Sequence, residues 1–276
     1  MAYLAEISRR NPTCFLFLVD RSASMEDAFG DGKKRKCDGV VETLNRLLYE
    51  LAIKCAKEDG IRNYYEIGVI GYGESVGSAF VGPLADRVLI PIADVAANPN
   101  RIEERPRPAT AAGVAKPIRV PIWFDAVALG PTPMVEAFGL ATSVLESWTR
   151  EHPDAYPPTV VNITDGESTD GDPSQAMYVI THLHTSDGNV LLFNVHISGD
   201  PHARPLKFPS APDTLPDAHA RRLHHGASEL TSFMRATARD MDLPVSDGAK
   251  AFVMNADLLM LVQVLDIGTR ASNPLR

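Results

Sequence analysis

Three short stretches of this chain carry side chains whose types and spacing could hold a metal ion. The first is Asp20-Arg21-Ser22-Ala23-Ser24, the second Gly130-Pro131-Thr132-Pro133-Met134 and the third Thr164-Asp165-Gly166-Glu167. Asp20, Ser22, Ser24, Thr132 and Asp165 together offer two carboxylates and three hydroxyls, and none of the three stretches contains Cys or His. An oxygen-only donor set suits a hard cation that prefers octahedral coordination, Mg²⁺ first, with Mn²⁺ or Ca²⁺ as alternatives. Alternation matters in the first stretch. In extended backbone Asp20, Ser22 and Ser24 point one way, while Arg21 and Ala23 point the other.

These stretches must be positioned by the elements around them. The apolar run over 13–19, TCFLFLV, stops abruptly at Asp20, and the run over 159–164, TVVNIT, stops at Asp165. Short unbroken apolar runs suit parallel strands buried on both faces. Helical spacing appears over 38–57, where Val40, Leu44, Leu47, Leu48, Leu51 and Cys55 form one stripe, and again over 132–148, 173–184 and 217–241. Pro133 stands in a first-turn position that tolerates proline. Further strands are expected over 64–72, 189–198 and, as an edge, 248–253, with an extended approach over 120–129 and a closing helix over 255–265. Strands alternating with amphipathic helices predict an α/β fold: a doubly wound, Rossmann-like, mostly parallel sheet with helices on both faces. Ligands bind such sheets at the carboxyl ends of the strands, where all three stretches fall. The expected organisation is a single domain over 1–276, with a core over about 12–200 and C-terminal helices over about 217–267. An insertion is expected over about 84–121, least regular and rich in Pro and Arg over 98–121, with a Pro-rich loop over about 199–217.

The pattern D-x-S-x-S, a distant Thr opening a helix and a later T-D-G resembles the metal-ion-dependent adhesion site of von Willebrand factor A domains. The likeness extends to F-L-F-L-V-D before the first stretch and G-P-T-P-M around Thr132, and it covers roughly residues 12–200. Its specificity comes from three separated motifs in the right order, each behind its own strand. The resemblance implies that Ser22 and Ser24 ligate the metal directly, and Asp20 and Asp165 directly or through water. Thr132 would enter or leave the shell as the site changes state. The sixth position would be left for a Glu or Asp of a partner protein, a charge-assisted contact suited to a hot spot. The family commonly has Gly between the two serines, whereas Ala23 stands here; it is small enough that no loss of metal binding is expected. The implied function is a non-enzymatic adaptor. Small cytosolic bacterial members of the family serve in this way with kinase, phosphatase or ATPase partners, a context carried by analogy alone.

Other readings compete. Asp20 and Asp165 could be turn formers, and Thr132 before Pro133 could be a plain helix cap. A Mg²⁺-dependent phosphohydrolase would also place a nucleophilic Asp at Asp20, but it would need a second carboxylate two residues on, where Ser22 stands. Gly71-Tyr72-Gly73 follows a strand without the glycine spacing of a nucleotide loop. His182, His184, His196, His224 and His225 lack the spacing of a zinc site. The basic run Lys33-Lys34-Arg35-Lys36 reads as a solvated loop. Arg101, Arg105, Arg107, Lys116 and Arg119 make the insertion basic enough to dock an acidic partner.

Bulk properties narrow the field further. A net charge of −8 argues against nucleic acid. No apolar stretch approaches membrane-span length, and MAYLAEISRR is no signal peptide. Three cysteines, Cys14, Cys37 and Cys55, are too few and scattered for a disulfide framework, so Cys14 and Cys55 are expected as packed thiols and the cytoplasm as the setting.

Overall fold

In the computed structural model, which describes residues 3–29, 32, 34–105, 117–198, 200, 202 and 204–270, the run that stops at Asp20 is strand β1 (Thr13–Asp20), buried along its whole length. Its side chains alternate between two cores: Phe15, Phe17 and Val19 enter one, and Cys14, Leu16 and Leu18 the other. A strand buried on both faces has no polar side to show, hence the continuous apolar run.

β1 sits in the middle of an eight-stranded sheet. It pairs in parallel with β2 (Tyr65–Tyr72) on one side and β7 (Thr159–Thr164) on the other. Beyond β2 run two short antiparallel strands, β3 (Val76–Ser78) and β4 (Leu89–Pro91). Beyond β7 lie β8 (Leu191–Ile197) and β10 (Phe252–Ala256), both parallel, and the edge is β9 (Leu206–Lys207), antiparallel to β10. Helices α1 (Lys36–Lys54), α2 (Ile92–Ala97), α6 (Ser232–Asp240) and α7 (Leu258–Thr269) fill one core. Helices α3 (Met134–Glu151), α4 (Ser174–His182) and α5 (Ala218–Gly226) fill the other. This is the doubly wound, mostly parallel α/β architecture expected from the strand–helix alternation.

Several boundaries differ from the expectation. The span 217–241 is two helices, because Ser228 donates its N–H to Leu192 O at 2.9 Å and Thr231 caps a new helix through its hydroxyl. The strand expected at an edge over 248–253 is β10, shifted along the chain and flanked on both sides. The insertion expected over 84–121 carries regular elements among its described residues. β4 and α2 pack on β2, and two arms, β5 (Arg101–Arg105) and β6 (Ile118–Ile122), pair antiparallel. Arg107 and Lys116 of the basic insertion, and Lys33, lie outside the described residues. All three cysteines are free and buried, and burial pushes the Cys55 thiol up to about 12.

Candidate metal centre

The central strands bring the candidate ligands together. Val19 is in register with Ile163 of β7 and Gly71 of β2, and Asp20 with Tyr72, so three strand ends lie side by side. Asp20 is only 1% exposed and Ser22 3%. Asp20 Oδ1 accepts the Ser22 N–H at 2.8 Å, and Oδ2 accepts the Thr164 hydroxyl at 2.7 Å. The Ser22 and Ser24 hydroxyls are 3.1 Å apart, and Ser24 donates to Asp165 Oδ1 at 2.7 Å. Asp20, Ser22, Ser24 and Asp165 therefore form one connected cluster of oxygens. Burial raises the Asp20 carboxyl above its ordinary range; bonds from Ser22 and Thr164 pull the other way, and Asp165 adds to the rise.

Arg21 turns away from this cluster, but the extended alternation expected over 20–24 stops at Ser22: Ala23–Glu26 form a 3-10 turn, and Ser24 meets Asp165 from that turn. The Arg21 side chain lies over Gly71, where a Cβ would stand 2.6 Å from the Arg21 Cδ, and it donates to Ala79 O at 3.3 Å. Gly71 and Gly73, read as a failed nucleotide loop, are thus spacers. A Cβ on Gly73 would lie 2.7 Å from both Arg21 O and Leu129 O.

The second loop is pinned to the first through backbone. Leu129 donates to Arg21 O at 2.6 Å and Ala23 to Gly130 O at 3.0 Å. Gly130 makes the turn at φ 84°, which favours glycine. Thr132, two residues beyond Gly130, is 6% exposed, and its hydrogen bonds run to Thr169 and Met134 rather than to Asp20, Ser22, Ser24 or Asp165. Its N–H donates to Thr169 Oγ1 at 3.0 Å, and its carbonyl accepts from Thr169 at 3.0 Å. The hydroxyl is not spent as a helix cap. The N–H groups of Val135 and Glu136 instead donate to Asp170, at 3.0 and 2.9 Å.

One residue of the site was read otherwise from sequence. Lys36 reaches Asp165 Oδ2 at 2.7 Å, with the Asp165 side chain fully buried and that of Lys36 9% exposed. It also lies 3.4 Å from Ser24 O and from Asp27 Oδ2. The signal was helical phase: Lys36, Val40, Leu44 and Leu48 repeat every four residues, so Lys36 belongs to the buried stripe of α1.

Beside Asp165 opens a cavity of about 190 Å³ lined by Glu167, His196, Asp217 and His219 among others. Burial lowers both imidazoles from the ordinary histidine value. Among the described residues no group of three or more His, Cys, Asp or Glu side chains is gathered to hold a metal. The oxygen cluster instead combines two carboxylates with hydroxyls, a donor chemistry that fits a hard divalent cation rather than a soft one.

Solved structures to which this chain is similar include a von Willebrand factor type A protein from Catenulispora acidiphila, at 15% identity and TM-score 0.41, covering 69% of this chain and 34% of that one. Proximal thread matrix protein 1 from the mussel byssus, with a zinc-occupied MIDAS motif, matches at 12% identity and TM-score 0.45, covering 93% and 47%. Manganese-loaded TRAP protein of Plasmodium vivax matches at 14% identity and TM-score 0.43, covering 92% and 72%. The chain thus spans about a third of the first of these and about half of the second. No family model matches the chain, and no curated protein matches it.

Proposed function

We propose that this chain is a metal-dependent protein-binding module of the von Willebrand factor A type, holding Mg²⁺ through Asp20, Ser22, Ser24, Thr132 and Asp165. The observation that carries this reading is the connected run Ser22–Ser24–Asp165 beside buried Asp20, assembled from two strand ends at the edge where α/β sheets bind ligands. The cation offers a strong point of attachment to a carboxylate of a partner protein.

The surface beside the cluster suits such a partner. Val127 and Leu129, 40% and 52% exposed, stand on the segment whose backbone is fastened to Arg21. An ion flanked by exposed apolar side chains offers the mixed chemistry of a protein interface, an anchor surrounded by surface that excludes water. The phosphohydrolase reading gains nothing from the geometry. The side chain two residues after Asp20 is the Ser22 hydroxyl, which supplies no general acid. Among the described residues no helix is long and apolar enough to cross a membrane. The free buried thiols suit a reducing cytoplasm, where a kinase, phosphatase or ATPase system is the proposed setting for the partner.

The test is thermal unfolding with EDTA, Mg²⁺, Mn²⁺ and Ca²⁺, on wild type and Asp165→Ala. A ligand that binds only the folded chain stabilises it by about 2.7 kcal/mol at a hundredfold excess over Kd. The expected result is a rise of several degrees in wild type with Mg²⁺ or Mn²⁺, absent in the variant. An equal rise in Asp165→Ala would contradict the ligand assignment.

A further inference from the structure

The metal reading leaves one charged group of the site unused. Lys36 contributes no oxygen, yet its ammonium is driven into the cluster and bonded to Asp165 at 2.7 Å. Its position is built by the surrounding chain. The Lys36 N–H donates to Asp27 O at 2.9 Å, and the preceding Arg35 is held by Asp38 and Glu26. Ala28 and Arg35 pair as a short antiparallel bridge, which closes the loop beneath the site. The helix phase then carries the lysine stem along the buried face of α1.

We infer that Lys36 is a resident cation of the metal site, and that its charge makes metal binding and capture of a partner carboxylate depend on each other. This inference rests on the metal-binding reading above and extends it to the order and strength of the two binding events. In a poorly solvated place the balance of charge governs what can bind. Asp20 and Asp165 are buried carboxylates, and Lys36 balances one of them, so the metal-free cluster carries one net negative charge. A divalent cation turns that into one net positive charge. A carboxylate from outside then restores neutrality. With a neutral side chain at 36, the cation alone would neutralise the cluster, and an added carboxylate would leave it negative. Asp27 changes this little, because its side chain is 71% exposed and water screens it.

Two consequences follow from Coulomb's law at low effective dielectric. The ammonium repels an entering divalent cation, so metal alone binds weakly. An anion that joins the metal relieves the excess positive charge, so metal and carboxylate strengthen one another. Linkage makes the effect reciprocal. The module would thereby hold its metal best when a partner is present.

The experiment is calorimetric titration of Mn²⁺ alone, and of Mn²⁺ in acetate as a carboxylate probe, into wild type, Lys36→Gln and Lys36→Arg. Glutamine keeps a donor for Asp165 without the charge, and arginine keeps the charge. The expected result is Mn²⁺ binding at least about tenfold tighter in Lys36→Gln than in wild type. Acetate should tighten Mn²⁺ binding in wild type and Lys36→Arg, and not in Lys36→Gln. Mn²⁺ affinity in folded Lys36→Gln equal to or weaker than wild type would overturn the role of Lys36 and leave the metal site standing. Absence of Mn²⁺ binding in wild type and in Lys36→Gln alike, with or without acetate, would overturn the metal site and this inference together. The acetate arm needs no variant, so a misfolded Lys36→Gln leaves a decisive reading: wild-type Mn²⁺ affinity indifferent to acetate contradicts the proposal.

Discussion

Gly73 shows how little room the two ligand loops leave between them. A methyl group there would press on Arg21 O and Leu129 O, both backbone atoms of the loops that carry the candidate ligands. Backbone cannot swing aside as a side chain can, so Gly73→Ala is expected to cost about 1–3 kcal/mol. It should also shrink the metal-induced rise in unfolding temperature, because it parts Leu129 from Arg21 and so loosens the loop that carries Thr132 from the one that carries Ser22. Thermal unfolding in EDTA and in Mn²⁺ reads both effects, and a variant matching wild type in both would refute the spacing argument. The gathering of Asp20, Ser22 and Ser24 was legible because they follow closely on a strand whose end is unmistakable, although a 3-10 turn and not extended alternation brings Ser24 in. Lys36 was obscured by its neighbours. In a run of four basic residues composition points to solvent, and only the four-residue phase with Val40 and Leu44 marks the last one as buried.

The elements that were easiest to read are those with a single determinant. β1, β2, β7 and β8 are buried on both faces and mostly apolar, and their sequence runs match their observed spans to within two residues. Ends governed by distant residues could not be read locally. Of the first N–H groups of α3, those of Val135 and Glu136 are satisfied by Asp170, from the loop after β7, while that of Met134 donates to the Thr132 carbonyl at 2.8 Å. Burial raises the Asp170 carboxyl, but bonds from Glu136 N–H, Ser168 and Val135 N–H outweigh it and hold the group below its usual range. Asp170→Ala should therefore cost about 1 kcal/mol, as loss of a helix cap does. In a chain of this size that is a fall of about 2–4 °C in unfolding temperature. No fall would mean that water satisfies the helix start equally well. The split between α5 and α6 had the same kind of cause, since Ser228 leaves the helix to pair with Leu192 across the molecule.

At the scale of the whole molecule, two cores on opposite faces of one sheet hold β1, β2 and β7 in fixed register, and the candidate site is the common end of those three strands. Asp20, Ser22, Ser24 and Asp165 lie at the ends of β1 and β7 or within one turn of them, so the order of the first and third motifs already brings these four together. The arms β5 and β6 were not legible, because they pair with each other and carry mixed polar and apolar residues rather than a clean period. A metal-dependent module of this kind must hold a cation at this strand edge. Crystals of wild type grown with Mn²⁺ should show one strong anomalous peak within coordination distance of the Ser22 and Ser24 hydroxyls, and crystals of Asp165→Ala none there. Mn²⁺ found elsewhere on the chain, with no peak beside Ser22 and Ser24, would contradict it.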